Sequence, residues 1–158
     1  MLQEKQKKSA KVDGMDNRLD IEKLLEEDKI VCIKVRGYSM YPFLLPGKDE
    51  VLVEKVDLSK VKRGDVVLYR RDQGILVLHR IWKRQGNDFF MVGDNQSEIE
   101  GPLNGHQIKG KMIAFIKNEK QISVKKISYR MISTIWLFLR PLRPFISKMI
   151  HWVKELKA

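Results

Sequence analysis

Ser39, His79 and Asp94 are the side chains whose types and order along the chain could do chemistry together. Ser39 lies in Gly37-Tyr38-Ser39-Met40-Tyr41-Pro42, a turn-forming segment stiffened by proline. His79 follows forty residues on, in Leu78-His79-Arg80-Ile81, and Asp94 is the middle residue of Gly93-Asp94-Asn95. A serine hydroxyl is a weak nucleophile until a neighbouring base accepts its proton. Histidine suits that role because its unperturbed pKa is about 6.5. An acid on the far ring nitrogen fixes the tautomer and stabilises the imidazolium that forms. The set reads as the parts of a serine hydrolase built on β-structure.

Each residue alone has a plainer explanation. Ser39 could be a turn residue, His79 a satisfied core histidine and Asp94 an ordinary turn former. Only the ordered set points to catalysis. Within it the backbone N–H of Ser39 could contribute to an oxyanion hole, with Gly37 and Met40 shaping the substrate side.

The elements that must hold these residues are mostly strands. Ile30 to Val35, Val51 to Val56, Val66 to Arg70, Ile75 to Trp82, Phe89 to Val92 and Lys109 to Lys117 are rich in β-branched and aromatic residues. Pro42, Pro46 and Gly47 mark a loop between the first two, and Asp72-Gln73-Gly74 suits a hairpin. In Ile75 to Trp82, alternation puts Ile75, Val77, His79 and Ile81 on one face and Leu76, Leu78, Arg80 and Trp82 on the other. A short helix is expected between Asp16 and Asp28, after a polar arm that resembles neither a signal peptide nor an anchor. The organisation expected is therefore residues 1–29 as arm and helix, 30–122 as a mainly β domain, and 123–158 as a basic tail.

At 158 residues the chain suits one domain with a hydrophobic core. Its single cysteine, Cys32, sits among apolar residues and reads as a buried structural thiol. Neither metal nor organic cofactor is implied. The net charge of +11 is uneven, for residues 123–158 hold eight basic groups and one acidic group. From Phe145 onward, Ile146, Met149, Ile150, Val153 and Leu156 recur at helical spacing among lysines. That pattern predicts a basic amphipathic helix on an anionic membrane surface. Its aromatic residues suit lipid better than nucleic acid, which is not expected as a partner. The apolar run Met131 to Leu139 is about half the roughly 20 residues a spanning helix needs. The expected location is peripheral on a membrane, of unspecified side, with the cytoplasm as the alternative.

The segments containing Ser39, His79 and Asp94, together with Arg63-Gly64-Asp65-Val66-Val67, resemble in order and spacing the boxes of type I signal peptidases. Those enzymes are related to the LexA-like self-cleaving repressors. The resemblance covers about residues 30 to 117 and implies a signal-peptidase/LexA-like β-fold and a serine endopeptidase. Its bacterial branch has a lysine before the arginine of the Leu78–Ile81 box. Here that residue is His79, which resembles the endoplasmic-reticulum and archaeal-type branch with its Ser-His dyad. By this resemblance Ser39 is the nucleophile, His79 the base, and the substrate a peptide or protein carrying a leader or signal segment. The third member is open: Asp94 first, then Glu100, then Glu98. Two departures are Tyr38, where the family has a small residue, and the lack of a spanning anchor, for which the basic tail could substitute. A repressor would need a DNA-binding unit ahead of the β-region, and about 30 residues are too few for one. The reading from another class is a catalytically silent peptide-binding module with a membrane-surface tail.

Overall fold

Apolar runs on strands that are buried on both faces dictate the architecture. The computed structural model describes residues 9–12, 18–72 and 74–142. The elements in chain order are β1 (Ser9–Val12), α1 (Arg18–Glu26), β2 (Ile30–Lys34), β3 (Glu50–Lys55), β4 (Val66–Arg70), β5 (Leu76–Gln85), β6 (Asp88–Val92), β7 (Glu100–Asn104), β8 (Ile108–Lys117), β9 (Lys120–Ser123) and α2 (Ile127–Phe138). Among the described residues the strands form one nine-stranded sheet in the order β1-β2-β3-β8-β4-β5-β6-β7, with β9 paired to β8. Every pairing is antiparallel except β1 with β2. The mainly β fold expected from the sequence is the fold observed.

The sheet encloses two main apolar clusters. On β4, Val66 and Leu68 enter the first while Val67 and Tyr69 enter the second. This explains why Val66-Val67-Leu68-Tyr69 is an unbroken apolar run rather than an alternating one. The next strand divides likewise, with Leu76 and Leu78 on the first cluster and Val77 and Ile81 on the second. Residues 76–85 thus form a shared wall, and His79 and Arg80 point to opposite sides of it.

The structure adds elements to those expected. Ser9–Val12, part of the expected polar arm, is a strand lying parallel to Ile30–Ile33. It covers backbone groups on an edge that β2 would otherwise leave unpaired. Neither β7 nor β9 has a strand-like composition. One contains Gly101 and Pro102, and the other is reached by a tight turn in which Asn118 and Glu119 have positive φ. Cys32 is buried, as its apolar neighbours predict. The amphipathic helix expected from Phe145 lies outside the described residues.

Candidate functional site

Ser39 is carried by the loop between β2 and β3, and that loop is held from beneath. Met40 and Leu44 are buried in the first apolar cluster, 2 % and 1 % exposed, so the loop is anchored on either side of Pro42. Asp49, also buried, accepts a bond from the Leu45 N–H at 2.8 Å. Gly37 has φ +71° with nothing near a would-be Cβ, so only its backbone conformation requires glycine. The Ser39 carbonyl accepts the Asn95 N–H at 2.8 Å. Gly93 approaches so closely that a Cβ there would lie 2.7 Å from that same carbonyl oxygen. The Gly-Asp-Asn segment therefore fixes the serine loop through the backbone.

His79 is 2 % exposed on β5, opposite Val67 in the β4–β5 register. Tyr69, two residues along on the same face of β4, reaches it diagonally. Tyr69 Oη lies 2.9 Å from His79 Nδ1 and 2.7 Å from Glu100 Oε2. A phenol has one proton. Given to Glu100, it leaves Tyr69 accepting from Nδ1–H, and the Nε2 lone pair of His79 is then available as a base. Arg71 fixes Glu100 by a two-pronged bond, Nε to Oε1 at 2.6 Å and Nη2 to Oε2.

The electrostatics follow from burial and charge. Burial pushes the His79 pKa down to about 4, against the pull of Glu100, so the ring is neutral at pH 7. The 3.8 Å separation of Nδ1 from Glu100 Oε2 is accordingly not an ion pair at that pH. Burial also raises the Glu100 pKa, but the bonds from Arg71 and Tyr69 outweigh it and hold the carboxyl below its usual range. Burial and the bond to Glu100 keep the Tyr69 phenol protonated.

Ser39 and His79 open on one cavity of about 410 Å³, whose walls include Met40, Arg71 and Gln96. Beyond them the wall is largely aliphatic, with Ile33, Leu68 and Leu78, and Arg36 adds a cation. Among the described residues, no cluster of His, Cys, Asp and Glu could hold a metal ion.

Asp94, first in the sequence order as the acid behind His79, is committed elsewhere. Its carboxylate accepts Arg80 Nε at 2.8 Å and Nη2 at 2.7 Å, with Arg80 and Asp94 1 % and 0 % exposed. Arg80 also donates to the Gly64 carbonyl at 2.7 Å, and Trp136 donates to the Asp94 carbonyl at 2.7 Å. The physical reason is the strand period. Arg80 follows His79 and so lies on the opposite face of β5, where Asp94 neutralises it. The carboxylate that reaches the histidine is Glu100, through Tyr69, while no hydrogen bond or ion pair among the described residues joins Glu98 to His79. Gly37 and Met40 lie on either side of Ser39, Met40 as a core anchor that also lines the cavity. Tyr69 and Arg71 were not legible as site residues, although counting the β4–β5 hairpin register back from His79 leads to Tyr69.

The fold is a mainly antiparallel β-sheet that places a serine and a neutral histidine on one cleft. Residues 6–113 match the family model described as Peptidase S24-like, and the chain belongs to that family. The family lies in the LexA/signal peptidase I superfamily, and its function is of the serine-protease type. No curated protein matches the chain.

Two outcomes follow. Asp94→Ala leaves Arg80 buried without its counter-charge and should cost about 3–5 kcal/mol of stability in urea unfolding. A stability loss below 1 kcal/mol would show that the pair is not a structural strut. Tyr69→Phe keeps the ring and removes the hydroxyl. Nitrogen-15 NMR of His79 should show the Nδ1–H tautomer in the parent and a mixed or Nε2–H tautomer in the variant. Identical tautomers would refute the Tyr69 bridge.

Proposed function

We propose that the protein is a serine endopeptidase that cleaves a leader or signal segment, with Ser39 as nucleophile and His79 as base, in the manner of the histidine branch of signal peptidases. The observation that carries this reading is a neutral, buried imidazole whose Nδ1 is engaged, on the same cavity as a serine whose loop is pinned by backbone bonds. His79 Nε2 takes the Ser39 proton as Oγ attacks the scissile carbonyl, and the Ser39 N–H stabilises the oxyanion. The imidazolium then protonates the leaving amine. Water, activated by the same nitrogen, hydrolyses the acyl-enzyme.

Substrate binding is supported by two strand edges. Strand β6 pairs with β5 only from Arg80 onward, and β1 pairs with β2 only as far as Ile33. The backbone of Leu76–Leu78 and that of Lys34–Arg36 thus border the cavity on sides where no described strand pairs. An extended peptide can add there as a strand and place apolar side chains against Ile33, Leu68 and Leu78.

With a panel of leader-like peptides read by mass spectrometry, Ser39→Ala and His79→Ala should each lower turnover by about 10⁴–10⁶, the double variant being hardly worse. Losses that multiplied would refute a dyad, and peptide binding without any cutting would favour a silent binding module. Because folding holds the His79 pKa at about 4, the imidazole gains its proton only as pH falls through that value. The acid limb of kcat/KM should therefore lie near pH 4, instead of near the ordinary histidine value of about 6.5. A limb at 6–7 would contradict a buried, neutral base.

A further inference from the structure

Helix α2 lies outside the residues that match the family, and it is amphipathic in an inverted sense. Its inward side carries the polar and aromatic contacts beside one aliphatic residue, the buried Leu137: Tyr129 against Arg80, buried Ser133, and Trp136 bonded to the Asp94 carbonyl. Its outward side is apolar. Ile127, Met131, Ile132, Ile135 and Phe138 are 56–75 % exposed, and Leu142 in the next turn is 50 % exposed. Of the ten exposed large hydrophobic residues among those described, these six fall within sixteen positions. On a wheel of 3.6 residues per turn the five helical ones share one face, interrupted only by Ser128. Monomeric soluble proteins rarely display a contiguous apolar patch of this kind without a use for it.

Charge indicates the occupant. Lys125, Lys126 and Arg130 lie exposed at the start of the helix, and Arg140 follows its end. Arg63 reaches the same end, its guanidinium 5.1 Å from the Phe138 ring centre. From Lys120 to Val153 the sequence contains no aspartate or glutamate. Glu54, Asp57 and Asp65 share a groove with Lys125, Arg130 and Thr134 beside the helix, but the helix and its flanks contribute cations and no acid. An apolar face flanked by such cations matches a bilayer interface of anionic headgroups, where the apolar side chains enter the acyl boundary and the cations remain at the phosphates. The helix cannot span, since twelve residues are about 18 Å long against about 30 Å of hydrocarbon. No helix among the described residues is long and apolar enough to cross.

We infer that the outward face of α2 seats this protein flat on an anionic membrane surface. The inference stands independently of the peptidase reading. Since Trp136 and Arg140 of this same region donate to the Asp94 and Ser97 carbonyls, the seated helix would hold the serine loop's own support at the membrane.

The test is co-sedimentation of the full chain with phosphatidylcholine vesicles, with and without phosphatidylglycerol, for the parent and for Met131→Glu/Ile135→Glu. Both substituted side chains are outward, so thermal unfolding should be unchanged. The expected result is sedimentation with the anionic vesicles, weakened by salt, and a loss of about tenfold or more in partitioning for the double variant. Absence of sedimentation overturns the inference. So does vesicle binding that the double variant leaves intact, which would attribute the affinity to residues 143–158. A dimer in analytical ultracentrifugation that the double variant dissociates, without vesicle binding, would make the face a contact between two copies and also overturn it.

Discussion

The buried pair of Arg80 and Asp94 is the constraint on which the rest of the structure depends. Taking two charges out of water is expensive, and attraction repays it only with good geometry and satisfied residual donors. Here the geometry is two-pronged, and the remaining donors reach the Gly64 carbonyl and the Tyr129 hydroxyl. Phe43 and Tyr129 place aromatic faces near the guanidinium. The pair joins the strand that bears His79 to the segment whose Asn95 N–H holds the Ser39 carbonyl. Serine and histidine come from elements forty residues apart, and this ion pair is one link between them. The neighbour of Asp94 is fixed as well, since a Cβ at Gly93 would crowd the Ser39 carbonyl.

On the other face of β5 the same low-dielectric interior acts differently. There the histidine has no direct counter-charge, only a phenol, so burial wins and the ring stays neutral. Had Glu100 met Nδ1 directly, its charge would have pulled the pKa upward and opposed that effect. In the proposed mechanism, interposing Tyr69 would separate two functions: orientation of the ring, which needs a hydrogen bond, and stabilisation of a transient imidazolium, which needs a charge at moderate distance. Arg71 in turn keeps Glu100 ionised and stationary. The two faces of one strand thus hold a permanent charge, compensated by Asp94, and an imidazole that burial keeps neutral.

Much of this was legible in the sequence, and the remainder has identifiable reasons. Strands from β2 to β6 and β8 could be read because their apolar runs reflect burial on two faces. Strand β7 could not, since Gly101 and Pro102 argue against a strand and only pairing with Phe89 and Met91 overrides them. The serine and histidine boxes were readable as an ordered set. The acid was readable only as a ranked set, Asp94 before Glu100 and Glu98, because the Tyr69 hydroxyl that links Glu100 to the histidine comes from another strand. A hint was present: Arg80 shares an apolar strand face with Leu76 and Leu78, and a cation there demands a buried carboxylate. Matching Asp94 to that demand would have released it from the histidine.

Helix α2 shows how the ion pair shapes even the outer surface. A helix on a protein core ordinarily turns its aliphatic face inward and its polar face to water. Here the surface it must cover presents a guanidinium with a donor to spare and a backbone carbonyl in need of one. Aliphatic side chains would leave both unsatisfied, at a cost of about 1–3 kcal/mol each. Tyr129 and Trp136 satisfy them, and they also stack on Phe43 in edge-to-face geometry. Committing the hydrogen-bonding side inward leaves the isoleucines outward. Rotating the helix to hide them would strip the cover from the Arg80–Asp94 pair, so the apolar face is displayed for as long as the site is intact.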